Sequence, residues 1–153
     1  MLRKRQSMKR RDARELLEQL ERLFGVSGVN KVEEAEFEDK KVYILDGSPD
    51  FVKDDNGLYP HLSSGKVDLL PSVVVDMGAI PYVCNGADVM APGIKEMVEA
   101  FEEGDIVVVR DITHRKALAV GKALKSSAEI EASKKGRAIQ NLHYVGDKLW
   151  KLS

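Results

Sequence analysis

Turn-forming residues cut this chain into short pieces, and that punctuation limits what it can fold into. After Lys31 the apolar residues come only in short runs. Between them stand Asp46-Gly47-Ser48-Pro49, Asp54-Asp55-Asn56-Gly57, Asn85-Gly86, Pro92-Gly93, Gly104-Asp105 and Gly146-Asp147. Such clusters favour tight reversals, and Asn-Gly flanked by apolar residues is a hairpin signal. A fold of short strands is therefore expected.

One long helix precedes the strands. Leu16, Leu17, Leu20, Leu23 and Phe24 form a stripe at helical spacing, with Gly25 as its stop. Asp12 and Glu15 have capping-box spacing, which predicts an N-cap at Asp12. Lys41–Leu45, Phe51–Lys53 and Leu58–Pro60 then read as a small antiparallel sheet. Pro71 marks the boundary, giving an N-terminal α+β domain over 1–70 and a second domain over 71–153. In the second, Val73–Val75, Ile106–Val109, Leu118–Leu124, Arg137–Val145 and Lys148–Leu152 read as strands. The unbroken run Ile106–Val109 implies burial on both faces. Gly121 inside its strand implies a bulge or a close backbone approach. Asp76 and Ser126 or Ser127 read as helix caps, and Glu96–Phe101 as a helical turn.

Chemistry is harder to find. The chain lacks phosphate-loop and nucleophile-elbow motifs. Its single cysteine, Cys84, reads as a small buried side chain. His61, His114 and His143 lack metal-ligand spacing. Asp46, Asp54 and Asp55 stand where turns favour aspartate. No catalytic, metal or cofactor residue is assigned. No apolar run approaches the ~20 residues that span a bilayer, and the expected location is the cytoplasm.

The formal net charge of −1, from 24 Lys+Arg and 25 Asp+Glu, conceals an arrangement. Residues 1–11 carry +6, 12–70 carry −7, 71–109 carry −6 and 110–153 carry +6. The ordinary meaning of one charge run is a solvated face, and Glu33–Asp39 reads as a solvated strand edge. The basic 110–137 stretch lies in the same domain as Asn85–Gly93, whose small side chains let another backbone come close. Together they suit phosphate attraction, with the basic N-terminal arm adding non-specific attraction.

Five ordered blocks carry a resemblance. They are Val75–Ala79; Asn85–Ile94; Phe101 with Gly104-Asp105; Ala117–Lys122 with Ser126–Ile130; and Gly136–Ile139 with Asn141–Trp150. Residues 71–153 resemble a PUA domain, and the whole chain resembles the malignant T-cell amplified sequence family of translation-associated proteins. The resemblance implies an α+β chain: a helix with an antiparallel sheet, then a mixed β pseudo-barrel with short helices. It implies a non-catalytic RNA-binding protein whose partners are tRNA or rRNA, and engagement of the small ribosomal subunit or initiation factors. By position, Gly86, Ala87, Met90, Ala91, Pro92 and Gly93 form the close backbone surface. By charge and proximity, Lys122, Lys125, Lys134 and Arg137 are added as phosphate contacts. The alternative is an accessory subunit delivering RNA in trans to a pseudouridine synthase or transglycosylase. An enzyme built on residues 1–70 has no supporting motif, and Glu33–Asp39 could instead serve an adaptor as a docking surface.

Overall fold

A computed structural model describes residues 1–152. Strands β1 (Arg3–Ser7), β2 (Val32–Phe37), β3 (Lys40–Leu45), β4 (Ser48–Asp54) and β5 (Gly57–Pro60) form an antiparallel meander in that order. Helix α1 (Arg10–Phe24) sits between β1 and β2 in sequence. Strand residues alternate between two faces. One face of the sheet offers Tyr43, Leu45, Phe51 and Leu58 to Leu16 and Leu20 of α1. The other offers Val42, Val52 and Tyr59 to Val108, Val120 and Leu149 of the second half. Each such aliphatic or aromatic side chain, fully buried, contributes ~1.5–3 kcal/mol.

The second half holds β6 (Ser72–Val75), α2 (Ile80–Val83), β7 (Val89–Met90), β8 (Ile94–Val98), β9 (Ile106–Asp111), β10 (Ala117–Ala123), α3 (Ser127–Ser133) and β11 (Arg137–Tyr144). Their sheet order is β7-β11-β10-β9-β6-β8, with β6 and β9 parallel. The two edge strands, β7 and β8, are joined only by the 3-10 turn Ala91–Gly93. Three residues span at most ~10 Å, so the sheet must curl until its edges nearly meet. The result is a pseudo-barrel with Ala91-Pro92-Gly93 as its seam. Val73, Val75, Val107 and Val109 point into the barrel, while Val108 points to the first sheet. That division explains why Ile106–Val109 is apolar throughout.

Gly121 stands at a register shift between β10 and β11. A Cβ there would lie 2.4 Å from Ile139 Cγ2 and 2.8 Å from the Gln140 carbonyl. Both expectations for this glycine hold. Asp76 and Ser126 cap as expected, accepting from the amides of Ala79 and Glu129.

Several expectations fail for identifiable reasons. The α1 N-cap is Lys9, without a side-chain cap, and Asp12 lies in the first turn. Met8 packs into the α1 core and Ala13 N–H bonds to Lys9 C=O, so tertiary anchoring starts the helix early. Glu96–Phe101 is not helical: Glu96, Met97 and Val98 belong to β8 and pair with Val74, Val73 and Ser72. Lys148–Leu152 is not a strand but ends in a 3-10 turn, Trp150–Leu152. Asp147 curls it by accepting from the amides of Tyr144 and Trp150. Cys84 is only partly buried.

The acidic run is not an edge. Glu33, Glu34 and Glu36 lie on β2, between β3 and β1, and β1 is part of the basic N-terminal arm. Arg5 grips Glu33 through two hydrogen bonds of 3.1 and 3.0 Å. Those bonds hold the Glu33 carboxyl below the ordinary carboxylate range. Arg3 and Lys4 approach Glu36 at 3.9 and 3.8 Å. The strand half of the arm is thus paired within the chain, at the surface of the sheet.

Two histidines join the halves. His61 and His143 are buried, with ring centroids 5.0 Å apart. His61 Nδ1 accepts from Ser63 N–H, so its Nε2–H donates to the Leu149 carbonyl at 2.8 Å. His143 Nε2 accepts from Leu62 N–H, so its Nδ1–H donates to Asp147 at 2.9 Å.

Candidate nucleic-acid interface

The seam carries the candidate site. Gly86 ends the α2 turn at φ +93°, and the Tyr144 ring lies 3.1 Å from where its Cβ would stand, so only glycine passes there without strain. Asn141 of β11 then clamps the loop, its Nδ2 donating to the carbonyls of Val83 and Ala87 at 3.0 Å each. The Asn141 amide donates to Asp88 Oδ1 at 2.9 Å. Strand β7 pairs Met90 with Arg137 and Val89 with Ile139. Ala91 N–H bonds to Gly136 C=O at 2.8 Å.

These bonds shape an apolar groove of about 380 Å³ lined by Ala79, Tyr82, Val83, Ala87, Met90, Gly93 and Arg137. Tyr82 is 69% exposed and Met90 48%. Arg137 lies at the edge, 2.8 Å from Asp88 Oδ2. Gly93 has ordinary backbone geometry and nothing within 4 Å of a built Cβ. A flat aromatic face, a flexible thioether and a guanidinium around small residues suit a stacked base with a nearby phosphate.

The predicted residues divide. Ala87, Met90, Gly93 and Arg137 meet at the groove, and Gly86 supports it from below. Ala91 is buried and contributes backbone, while Pro92 is exposed. Lys134 lies across the seam, in a second cavity of about 270 Å³ with Ala91, Pro92, Ile94 and Glu131, and pairs with Glu131 at 3.8 Å. Lys125 Nζ donates to Lys135 C=O at 3.0 Å, bracing the turn at Gly136. Lys122 is not brought to the groove. It lines a separate cavity with Leu23, Leu58 and Asp105, where Nζ donates to the Asn56 carbonyl at 3.1 Å. It tethers the β4–β5 hairpin tip to the barrel. Sequence reasoning missed Tyr82, Asp88 and Asn141. For Tyr82 a signal existed: a large aromatic in a turn whose other apolar residues, Ile80 and Val83, already serve the core.

Elsewhere the polar groups are structural. Tyr59 O–H donates to Asp54 at 2.6 Å, and burial with that carboxylate pushes the phenol far above its ordinary range. Burial raises the Cys84 thiol, which favours its protonated form. Among the described residues no group of three His, Cys, Asp or Glu could hold a metal ion. No helix among them is long and apolar enough to cross a membrane.

Comparison with known proteins matches the PUA domain over residues 71–145 and a domain of unknown function (DUF1947) over 4–64. An uncharacterised protein of Methanocaldococcus jannaschii is 40% identical over 97% of this chain and 96% of its own. Translation machinery-associated protein 20 of Saccharomyces cerevisiae is 33% identical over 81% of this chain and 74% of its own. Malignant T-cell-amplified sequence 2 of Mus musculus is 38% identical over 54% of this chain and 47% of its own. A PUA-domain crystal structure from Aeropyrum pernix, a tartrate complex, has TM-score 0.84 and 26% identity, covering 99% of this chain and 91% of that one. A structure of an H/ACA ribonucleoprotein bound to a substrate RNA has TM-score 0.51 and 28% identity, over 61% of this chain and 29% of that one.

Proposed function

Because the chain belongs to the PUA-domain family that includes translation machinery-associated protein 20, we propose that it binds RNA without catalysing a reaction and acts in translation in the cytoplasm. Its RNA is the structured kind with an accessible end, tRNA or rRNA, and its larger partners are the small ribosomal subunit or initiation factors. The groove between Tyr82, Met90, Gly93 and Arg137 is the observation that carries this reading. It combines an exposed aromatic face, a cation and a backbone that a ligand can approach closely. Residues 1–70 and 71–153 act as two units sharing one core, with RNA contact in the second. A second reading, an RNA-delivering accessory to a modifying enzyme, draws on the likeness to the H/ACA ribonucleoprotein. Co-purification separates the two: ribosomal subunits support the first, a modifying enzyme the second.

The direct test is titration of labelled tRNA at several salt concentrations. Binding should weaken as salt rises, because phosphate contacts release counterions. Gly93→Trp should reduce affinity at least tenfold while leaving the melting temperature within ~2 °C, since its Cβ meets open space. Tyr82→Ala should cost ~1–3 kcal/mol if a base stacks there. Absence of binding at low salt, or Gly93→Trp binding as well as the wild type, would overturn the reading.

A further inference from the structure

A reader of RNA is expected to present free positive charge, yet the groove's own cation is cancelled. Residues 71–153 carry eleven Lys+Arg and eleven Asp+Glu, and several of them pair with each other. Lys95 meets Asp76, Arg115 meets Glu96 and Lys134 meets Glu131, while Arg110 reaches Asp68 of the first half. At the groove itself Asp88 meets Arg137 at 2.8 Å.

Asp88 is held firmly. One oxygen accepts from the Asn141 amide at 2.9 Å and the other faces Arg137. Its side chain is 27% exposed against 59% for Arg137, so the guanidinium is gripped from the protein side and open on the other. Long-range attraction of a polyanion follows summed charge and ignores fit. Close hydrogen bonding to a phosphate depends on where the donors stand, and a guanidinium has five. A neutral Asp88–Arg137 pair therefore weakens the first effect and preserves the second.

We propose that Asp88 is a specificity-determining residue: it cancels the charge of Arg137 toward arbitrary polyanions while fixing its donors for a phosphate delivered by a ligand that fits the groove. This rests on the RNA-binding reading and adds to it the means of rejecting wrong partners. Opposing an unwanted partner is as effective as improving the wanted one.

The test uses the full chain with two probes, deacylated tRNA and heparin, titrated against salt. Asp88→Asn keeps an oxygen for the Asn141 amide and removes the charge. It should bind heparin ~two- to fivefold more tightly, the range of a partly exposed charge pair. Its log–log salt slope should steepen by roughly 0.7–0.9, one extra ion released. The preference for tRNA over heparin should fall. Adding Arg137→Gln to Asp88→Asn should return heparin affinity to the wild-type value. Asp88→Ser, which also retains an acceptor, should repeat the effect should the amide variant prove unstable. Unchanged heparin affinity and slope in both Asp88 variants would overturn the proposal, as would a rise that persists in the double variant. Wild-type protein that fails to bind tRNA at low salt would instead refute the RNA-binding reading, and the heparin arm distinguishes the two failures.

Discussion

Replacing Gly121 by alanine isolates the tight contact between β10 and β11. The added methyl would stand 2.4 Å from Ile139 Cγ2 and 2.8 Å from the Gln140 carbonyl oxygen. Ordinary contacts of this kind are ~3.5–4.0 Å between carbons, so the methyl enters occupied space by about 1 Å. The Ile139 branch could rotate away, but it is fully buried and has no slack. The Gln140 carbonyl belongs to β11, whose register with β10 is set at this position: Lys122 pairs with Gln140 and Gly121 with Asn141. Relief requires β10 and β11 to separate. Overpacking of this sort costs ~1–3 kcal/mol, and a backbone obstacle belongs at the upper end. At ~2–4 °C per kcal/mol for a chain of this size, thermal unfolding should fall by about 6–12 °C, and the urea midpoint should drop without a change in slope. Gly93→Ala is the matched control. It has the same chemistry and open space, and should lie within ~0.5 kcal/mol of wild type. Equal effects at the two positions, or a Gly121→Ala protein as stable as wild type, would refute the steric account.

Three further outcomes follow from the same geometry. Stability should fall as pH drops below about 6.5, because burial holds the His61 imidazole below its ordinary value. The unfolded chain then takes up protons that the folded one refuses. His61→Gln should be less stable by ~1–3 kcal/mol at pH 7.5 and show a flatter profile down to pH 5.5 in urea titrations. At lower pH a second loss should appear. Burial alone would raise the Asp147 carboxyl, but hydrogen bonds from His143, Trp150 and Tyr144 hold it below its ordinary range. Its contribution is present above the unfolded carboxylate value and disappears as pH falls through the folded one. Finally, Lys122→Ala should leave tRNA affinity within twofold of wild type while Arg137→Ala weakens it, by filter binding. Equal losses would return Lys122 to the interface.

What the sequence revealed depends on distance along the chain. The Asp54–Gly57 hairpin, the Asp76 and Ser126 caps and the Gly25 stop act over four residues or fewer, and each was legible. Gly121 was legible because a glycine in an apolar strand demands a reason. Glu96–Phe101 was misread because its helical look is weak, and pairing with β6, more than twenty residues away, outweighs it. The histidine joint was invisible: residues 61 and 143 show no spacing that announces them, yet the fold sets their rings 5.0 Å apart. At the groove the small-residue loop, Met90 and Arg137 were legible, but Tyr82, Asp88 and Asn141 were not; Asn141 arrives from β11, about fifty residues on.

Charge makes the same point more sharply, because its meaning changes between chain and fold. The first eleven residues carry six cations and no acid, which read as an arm free to attract a polyanion. Folding divides them. Arg3, Lys4 and Arg5 enter β1 and pair with Glu33 and Glu36 of β2, so the acidic run and half the basic arm cancel each other inside one sheet. Lys9, Arg10 and Arg11 lie beyond that strand, at the start of α1. In the barrel, Glu96 of β8 pairs with Arg115 and Asp88 with Arg137 in the same way. A partner that responds only to total charge meets a nearly neutral protein. Under the proposed function, a partner that places a base against Tyr82 and a phosphate against Arg137 gains contacts that total charge does not supply. On this reading, affinity comes from fit at the seam, and the paired charges suppress binding that lacks it.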